Sequence, residues 1–518
     1  MAKNYVNNNM ATISRPRSRF DLSYSYKTSF NLGDLIPCYI QEILPGDTFK
    51  VDTTEVYRTT TPFIRPIMDN LFLDVHYFFV PYRLVLDTWK SVMGENTDGP
   101  WAQDSVYSVP QVTGVVKTGS LANYLGIPLS NNLAIQVSRL PFRAYALIYN
   151  HYYRDENYQD PVYVSTSDTE VAPLNDDAFG PDNIYGKVAK ANKIRDYFTN
   201  CLPAPQKGDA VQVPVLGVEN MFNYNGVPYR MFGTSYEDSG IYDVRFMFDS
   251  GEYVENGEDN MYIANLGASV NDIRSAFAMQ RQLERLALFG SRYNEMLFGE
   301  FGVKAPANIL QYPEYLSGTR TPVSVTQVNQ TSQSTDASPL AQVSGYSLSN
   351  GRQGFAKSFV EHGVVLGLAC VRQVHSYQQG LEKFYTRKFK TDFPTPIFAN
   401  MSEQPVYKSE IFVGTPNNNE QVWGYQPIYE DCRRRVNSIT GQLATGSNSG
   451  LDVWHLGDYY ESAPVMNGEW LKETPEFLDR CLSAPSSTID NFIFDFYHKV
   501  SAVRSLPTYG TPGIIDHR

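Results

Sequence analysis

The chain reads as a β-sandwich with long excursions from its loops, and three stretches carry that reading. In Asn70–Trp89 (NLFLDVHYFFVPYRLVLDTW), Leu71, Leu73, Val75, Tyr77 and Phe79 fall on one face; Phe72, Asp74, His76, Phe78 and Val80 fall on the other. In Ser358–Val374 (SFVEHGVVLGLACVRQV) both faces are apolar, and one is built of small residues. In Asn491–Val500 (NFIFDFYHKV), Phe492, Phe494 and Phe496 alternate with Ile493, Asp495, Tyr497 and Lys499. Period-two alternation rich in aromatic and β-branched residues marks strands. An apolar sheet face must be covered by a second layer. The strand-rich stretches stand at both ends of the chain, so one sandwich with large excursions is open beside the three or so domains that length alone suggests.

The elements follow in order. Residues 1–30 are polar and rich in Asn, Ser and Arg, and are expected to form an extended or disordered basic arm. In its first twenty residues the cations Lys3, Arg15, Arg17 and Arg19 precede the first acid, Asp21. Such an arm contacts nucleic acid, threads a neighbour, or is a solvated tail. Leu35–Val51 reads as strand, turn, strand around Pro45-Gly46-Asp47. Pro81 ends the Asn70 strand because it has no N–H for the ladder. Ser120–Gly126 is a short helix that Ser120 caps and Gly126 ends. Pro141–Arg154 is another, with Phe142, Tyr145, Tyr149 and Tyr152 on one face. Its interleaved Arg143, His151 and Arg154 fit either the rim of a core-facing stripe or a stacking surface for single-stranded nucleic acid.

Ala210–Leu216 is a short strand, and Leu216–Gly267 is an acidic, Gly- and Tyr-rich excursion, expected as an exposed insertion. Ser269–Phe298 is read as one long helix opened by Ser269 and Asp272. Ala276, Met279, Leu283, Leu286 and Gly290 would form its buried face. Arg274, Arg281, Arg285 and Arg292 would form a solvated stripe, with Glu284 as local partner. Ser317–Phe355 has few large apolar residues and is expected to be an extended connector without its own core.

Charge narrows the partners. The chain of 518 residues carries a formal −12, and Leu216–Gly267 supplies nine acids against two arginines, leaving −5 elsewhere. A globally acidic protein binds nucleic acid poorly unless a basic region is set apart from the rest. Aromatics reach 14%, which suits wet contact surfaces as well as cores. Five cysteines (38, 201, 370, 432 and 481), odd in number and widely spaced, point to reduced thiols rather than a disulfide framework. The N-terminus has no apolar signal core, and no run of roughly 20 apolar residues suggests a membrane span.

No catalytic motif appears: there is no GxSxG, no HExxH and no P-loop. None of the seven histidines has a partner at metal-ligand spacing, and Asp176, Asp177 and Asp182 lack the spacing of a calcium loop. His76 and His498, taken to lie on the more polar faces of their strands, are expected to be packed or hydrogen-bonded. Arg433, Arg434 and Arg435 form the densest positive cluster, either solvated or contacting nucleic acid or a subunit. No catalytic residue, metal site or cofactor is expected.

Six long motifs run in order from about Ser18 to about Val406. They are SRFDLSYSYKTSFNLGDLIPCYIQEILPGDTFKVD, RPIMDNLFLDVHYFFVPYRLVLDTWKSVMGE, PFRAYALIYNHYYRDEN, RDYFTNCLPAPQKG, IRSAFAMQRQLERLALFGSRYNEMLFGEFGV and FYTRKFKTDFPTPIFANMSEQPV. Together they resemble the major capsid proteins of gokushovirus-type microviruses (Microviridae). The resemblance implies a mainly β fold, the eight-stranded antiparallel viral jelly roll, with helices in its long loop excursions. Residues 31–518 would be one jelly-roll domain holding the acidic surface insertion 216–267 and the connector 317–355. The resemblance further implies a T=1 icosahedral shell around circular single-stranded DNA, made in the host cytoplasm and found in the virion.

Implied partners are further copies of the chain, the DNA, a DNA pilot protein, an internal scaffolding protein and a host bacterial surface receptor. The insertion would project at the threefold axes. Its candidate receptor-binding residues are Tyr236, Glu237, Asp238, Tyr242, Tyr253, Glu255, Glu258 and Asp259. Candidate DNA contacts are Lys3, Arg15, Arg17 and Arg19, then Arg433–Arg435 and the Arg274–Arg292 stripe. The competing classes are a secreted glycan-binding or glycan-cleaving β-sandwich, which would need paired carboxylates in a cleft, and a minor attachment protein of a virion.

Overall fold

The computed structural model describes residues 17–95, 107–170, 172–209, 211, 221–222, 228–235, 243–248, 253–254, 270–332, 340–399, 403–414, 419–445 and 450–509. The chain divides into two compact units, one of residues 1–203 with 304–518 and one of Ala204–Val303.

The first unit is organised by two antiparallel sheets. Its strands are β1 (Ser18–Asp21), β2 (Tyr24–Phe30), β3 (Ile36–Ile43), β4 (Thr48–Thr59), β5 (Leu71–Pro81), β6 (Glu314–Pro322), β7 (Ser349–Ser358), β8 (Gly363–Gln373) and β9 (Phe492–Arg504). In the first sheet β4 lies between β7 and β9, and β1 and β2 pair end to end along the other edge of β9. The second sheet runs β6-β5-β8-β3. From β2 onward the chain changes sheet at every step except β5 to β6.

The core between the sheets is the one the alternation predicts. Leu71, Leu73, Val75, Tyr77 and Phe79 of β5 pack with Phe49, Val51 and Tyr57 of β4 and Phe492, Phe494 and Phe496 of β9. The Phe494 ring lies 4.4 Å from Phe30, 5.3 Å from Tyr57 and 5.5 Å from Phe496 between centroids. Such pairs add about 0.5–1.5 kcal/mol each beyond their burial. Gly367 of β8 is needed where it stands: a Cβ there would lie 2.8 Å from the Tyr39 Cβ and 2.9 Å from the Tyr77 ring.

One polar chain crosses this core. The Tyr77 hydroxyl donates to Thr53 Oγ1 (2.7 Å), Thr53 lies 2.8 Å from His498 Nδ1, and His498 Nε2 lies 2.9 Å from the Cys38 carbonyl. A carbonyl only accepts, so Nε2 carries a proton and Nδ1 accepts from Thr53. His498 is thus hydrogen-bonded as expected, but on the inner face among the phenylalanines, not on the polar one.

The other face of β5 meets the chain's own excursion. Phe78 and Val80, with Val364, Leu366, Leu368 and Cys370 of β8, form a second core against helix α1 (Leu140–Ile148), chiefly through Phe142 and Tyr145. Arg143, fully buried, donates to the Val85 carbonyl (3.0 Å) and to Glu170 (2.8 Å), so it is part of this core and offers no stacking surface. His76 Nδ1 lies 2.8 Å from the Tyr153 hydroxyl. Asp74 accepts from Arg320 of the neighbouring strand (2.6 and 3.0 Å) and from Arg372 Nε (2.8 Å). Burial alone would raise the Asp74 carboxyl, and the two guanidiniums outweigh it and hold it below its ordinary value.

Two polar stretches contain more structure than their composition suggests. Within the arm, Ser18–Phe30 forms β1 and β2, because Tyr24, Tyr26 and Phe30 alternate with polar residues and pack on the core. Within Ser317–Phe355 lie most of β6 and β7 and the paired strands Val325–Asn329 and Val343–Ser347. Edge strands bury one face at most, so they need few large apolar residues.

The second unit holds a four-stranded antiparallel sheet, ordered Tyr253–Val254, Asp243–Phe248, Pro228–Ser235 and Met221–Phe222. It also holds helices α2 (Val270–Phe289) and α3 (Tyr293–Phe301). The single helix expected over Ser269–Phe298 is broken at Gly290, whose φ of +95° closes α2 in a conformation glycine tolerates. The Arg292 N–H then donates to Glu295, which caps α3. Ala276 is buried as expected of the helix face, whereas Met279 is exposed.

Candidate nucleic-acid interface

The first sheet buries one face and leaves the other open. Outward from β9 point Ile493, Asp495, Tyr497 and Lys499, with Ile493 42% and Tyr497 49% exposed. Strand alternation adds Lys50, Asp52, Val56 and Arg58 from β4, Lys27 from β2, Arg19 and Asp21 from β1, and Arg352 from β7. Six cations (Arg19, Lys27, Lys50, Arg58, Arg352 and Lys499) stand against three acids (Asp21, Asp52 and Asp495), a local excess of +3 on a chain of −12.

Register sets the pairs within this face. Lys27 is opposite Asp495, with Nζ 3.6 Å from Oδ2, and Lys499 is opposite Asp52. Arg352 Nε donates to Asp52 (2.8 Å), Arg19 Nε to Ser501 Oγ (2.8 Å), and Arg58 to the Tyr346 hydroxyl (3.4 Å). Hydrogen bonds from Ser23 hold the Asp21 carboxyl below its ordinary value, and Arg352 does the same for Asp52. Exposed pairs of this kind contribute about 0–1 kcal/mol to folding, so a polyanion can compete for their cations. The face combines an exposed aromatic ring with excess positive charge.

The sequence candidates fall unevenly on the structure. Arg19 lies within this face and Arg17 just before β1; Lys3 and Arg15 fall outside the described residues. Arg433–Arg435 lie in the loop between β8 and β9, each beside an acid. Arg433 and Arg434 approach Glu430 at 3.1 and 2.8 Å, and Arg435 approaches Glu382 at 3.8 Å. Arg434 and Arg435 edge a cavity of about 170 Å³ whose Lys383 and Arg387 face Glu410 and Asp431. That charge is largely balanced, so the triplet concentrates less free positive charge than its sequence suggests. Arg274, Arg281 and Arg285 are exposed on α2, and Arg292 pairs with Glu295 at 2.9 Å.

Of the insertion residues, Tyr253 opens the strand Tyr253–Val254. Tyr236, Glu237, Asp238, Tyr242, Glu255, Glu258 and Asp259 lie outside the described residues. Lys27, Lys50, Arg58, Arg352 and Lys499 are not among the sequence candidates for nucleic-acid contact. They are spread over 473 positions and converge only when four strands pair. The signal was available in the outward parity of each strand.

Among the described residues no group of three or more His, Cys, Asp and Glu is placed to hold a metal ion, and no helix is long and apolar enough to cross a membrane. Residues 8–514 match the family described as Capsid protein (F protein). The chain is 34% identical to capsid protein VP1 of Chlamydia phage 1 over 96% of each chain. It is 35% identical to capsid protein VP1 of Bdellovibrio phage phiMH2K, over 97% of this chain and 96% of that one. Against capsid protein VP1 of Spiroplasma virus 4 the identity is 33%, over 96% and 95%. The chain is therefore a structural protein and not an enzyme, a member of the phage capsid protein (F protein) family.

Proposed function

We propose that the chain self-assembles into a T=1 icosahedral shell around circular single-stranded DNA, as a gokushovirus-type major capsid protein of the Microviridae. A jelly roll as the building block is supported by the strand order. Strands β2 to β9 make eight, four per sheet, and the chain alternates between sheets except at its midpoint, as two interleaved Greek keys require. Similarity to capsid proteins over nearly the whole chain favours the shell over the glycan-binding or attachment readings.

The observation that carries the DNA reading is the open, net-positive face of the first sheet on an acidic chain. Contact there would be independent of sequence, through phosphates and the Tyr497 ring. The arm residues Lys3, Arg15 and Arg17 would extend it. The acidic insertion Leu216–Gly267 would serve host attachment at the threefold axes. A DNA pilot protein and an internal scaffolding protein would be partners during assembly in the host cytoplasm.

The test is to replace Lys27, Lys50, Arg58 and Lys499 by Gln, alone and together with Lys3, Arg15, Arg17 and Arg19. Nuclease-protected DNA per particle is then measured beside particle counts by negative-stain microscopy. Shells at normal yield with less DNA are expected. Filled shells at normal yield from both variants would end the assignment.

A further inference from the structure

We propose that Leu381–Phe398, in the loop between β8 and β9, docks onto a second copy of this chain, an inference that rests on the shell-forming function above. The segment turns three times, at Lys383–Thr386, Lys390–Asp392 and Pro396–Phe398, without joining a sheet or a long helix. It leaves large apolar side chains in water: Phe384 is 46% exposed, Tyr385 67%, Phe389 70%, Phe393 53%, Ile397 83% and Phe398 38%. At roughly 200 Å² per side chain these expose about 700 Å². The exposed area is close to the ~800 Å² that each partner contributes to a stable interface.

The segment is held in shape before any partner arrives. The Asp392 carboxylate accepts from the backbone N–H groups of Lys388 and Phe389, both at 2.8 Å. Lys383 Nζ donates to the Pro405 carbonyl (2.7 Å), and Arg387 pairs with Asp431. An apolar surface fixed in this way loses little further entropy on docking.

Chemistry selects the occupant. Lys383 and Arg387 are turned back onto their own chain, which leaves Lys388 and Lys390 exposed. Two exposed cations, one of them (Lys388) beside the Asp392 carboxylate, are few for tracking a phosphate backbone. Ile397, the most exposed of the six side chains, and the flanking Pro394 and Pro396 offer no ring face for a base. Aliphatic and aromatic groups with a slight positive rim instead suit a protein surface that is acidic overall, and a chain of −12 supplies that surface. A segment docking onto a different patch of the next copy makes a heterologous contact, the kind that closes into rings and shells by rotation.

Two measurements test this. The double variant Phe389→Ser with Ile397→Ser removes exposed groups, so circular dichroism and thermal unfolding of the free subunit should match wild type. Particle yield by sedimentation should fall roughly tenfold or more, the loss expected when two interface anchors each contribute over 1 kcal/mol. Wild-type particle yield from the variant would overturn the proposal. In the second measurement a photo-crosslinking amino acid replaces Phe389 in full-length chain assembled into particles. Chain-to-chain crosslinks are expected; crosslinks to DNA alone, or none in intact particles, would overturn it. Failure of wild-type chain to form any particle would instead remove the shell reading, and the proposed occupant with it.

Discussion

Acid should unlock the sandwich at His498. Its imidazole is buried between the sheets and donates to the Cys38 carbonyl while accepting from Thr53, which only the neutral ring can do. Burial is the dominant cause that pushes the ring down from 6.5 to about 4. The unfolded chain therefore binds this proton first. Stability from His498 is complete above about pH 6.5 and is lost as pH falls towards 4. A difference of about 2.5 units at 1.36 kcal/mol each amounts to about 3 kcal/mol. Carboxylates elsewhere also titrate in this range, so the informative quantity is the difference from His498→Gln, which keeps a donor and an acceptor and cannot ionise. Urea unfolding of the free subunit, followed by tryptophan fluorescence from pH 7 to pH 4, supplies it. Wild type should lose about 3 kcal/mol more than the variant across that interval. Parallel curves would show that His498 is charged in the folded state or reached by water, and the relay from Tyr77 to Cys38 would have to be abandoned.

Three further outcomes follow from single groups. Asp74→Asn leaves Arg320 and Arg372 facing each other without their shared carboxylate, and should cost about 3 kcal/mol in the same unfolding assay. Val75→Asp puts an unpaired charge into the inter-sheet core at a position 1% exposed, so no soluble folded subunit should be recovered; a folded product would contradict the packing. His375 should respond in the opposite direction to His498. Burial would push it down, but Asp458 and Glu473 dominate together and raise it to about 9, so its contribution is complete below about pH 6.5 and fades as pH rises through 9. His375→Gln should remove that alkaline decline, as read by thermal unfolding between pH 7 and 10.

The sandwich was legible wherever one strand declares both its faces. Asn70–Trp89, Ser358–Val374 and Asn491–Val500 contain the central strands β5, β8 and β9, whose apolar alternation is forced by burial. Edge strands declare less. Tyr24–Phe30 was hidden in a polar arm and Ser349–Ser358 in a polar connector, because each needs an apolar residue only at every second position. The helix over Ser269–Phe298 was overextended because periodicity continues through Gly290, and only backbone geometry reveals the stop. His76 bonds to Tyr153, so that face of β5 is met by the chain's own excursion. The candidate interface was the least legible part, since a patch drawn from five strands has no linear signature.

The charge of the chain makes sense only once it is divided. On the proposed function, a protein of −12 that encloses a polyanion would repel its cargo if its acids were spread evenly. Here nine acids gather in Leu216–Gly267, while the outward positions of the first sheet hold six cations to three acids. Separation of charge along the sequence would let one surface of the fold attract phosphate while the chain as a whole stays acidic. Pairing four of those cations with exposed acids or hydroxyls, as at Lys27, Arg352, Arg19 and Arg58, keeps them available at little energetic cost, because exposed pairs exchange readily for phosphate. The buried cations are the contrast. Arg143 and Arg372 are bound to carboxylates inside the fold, where release would leave unpaired charge, and they serve the scaffold rather than the cargo. Burial of the guanidinium or ammonium group, and not its position in a basic run, therefore separates the cations proposed to meet nucleic acid from those that hold the fold together.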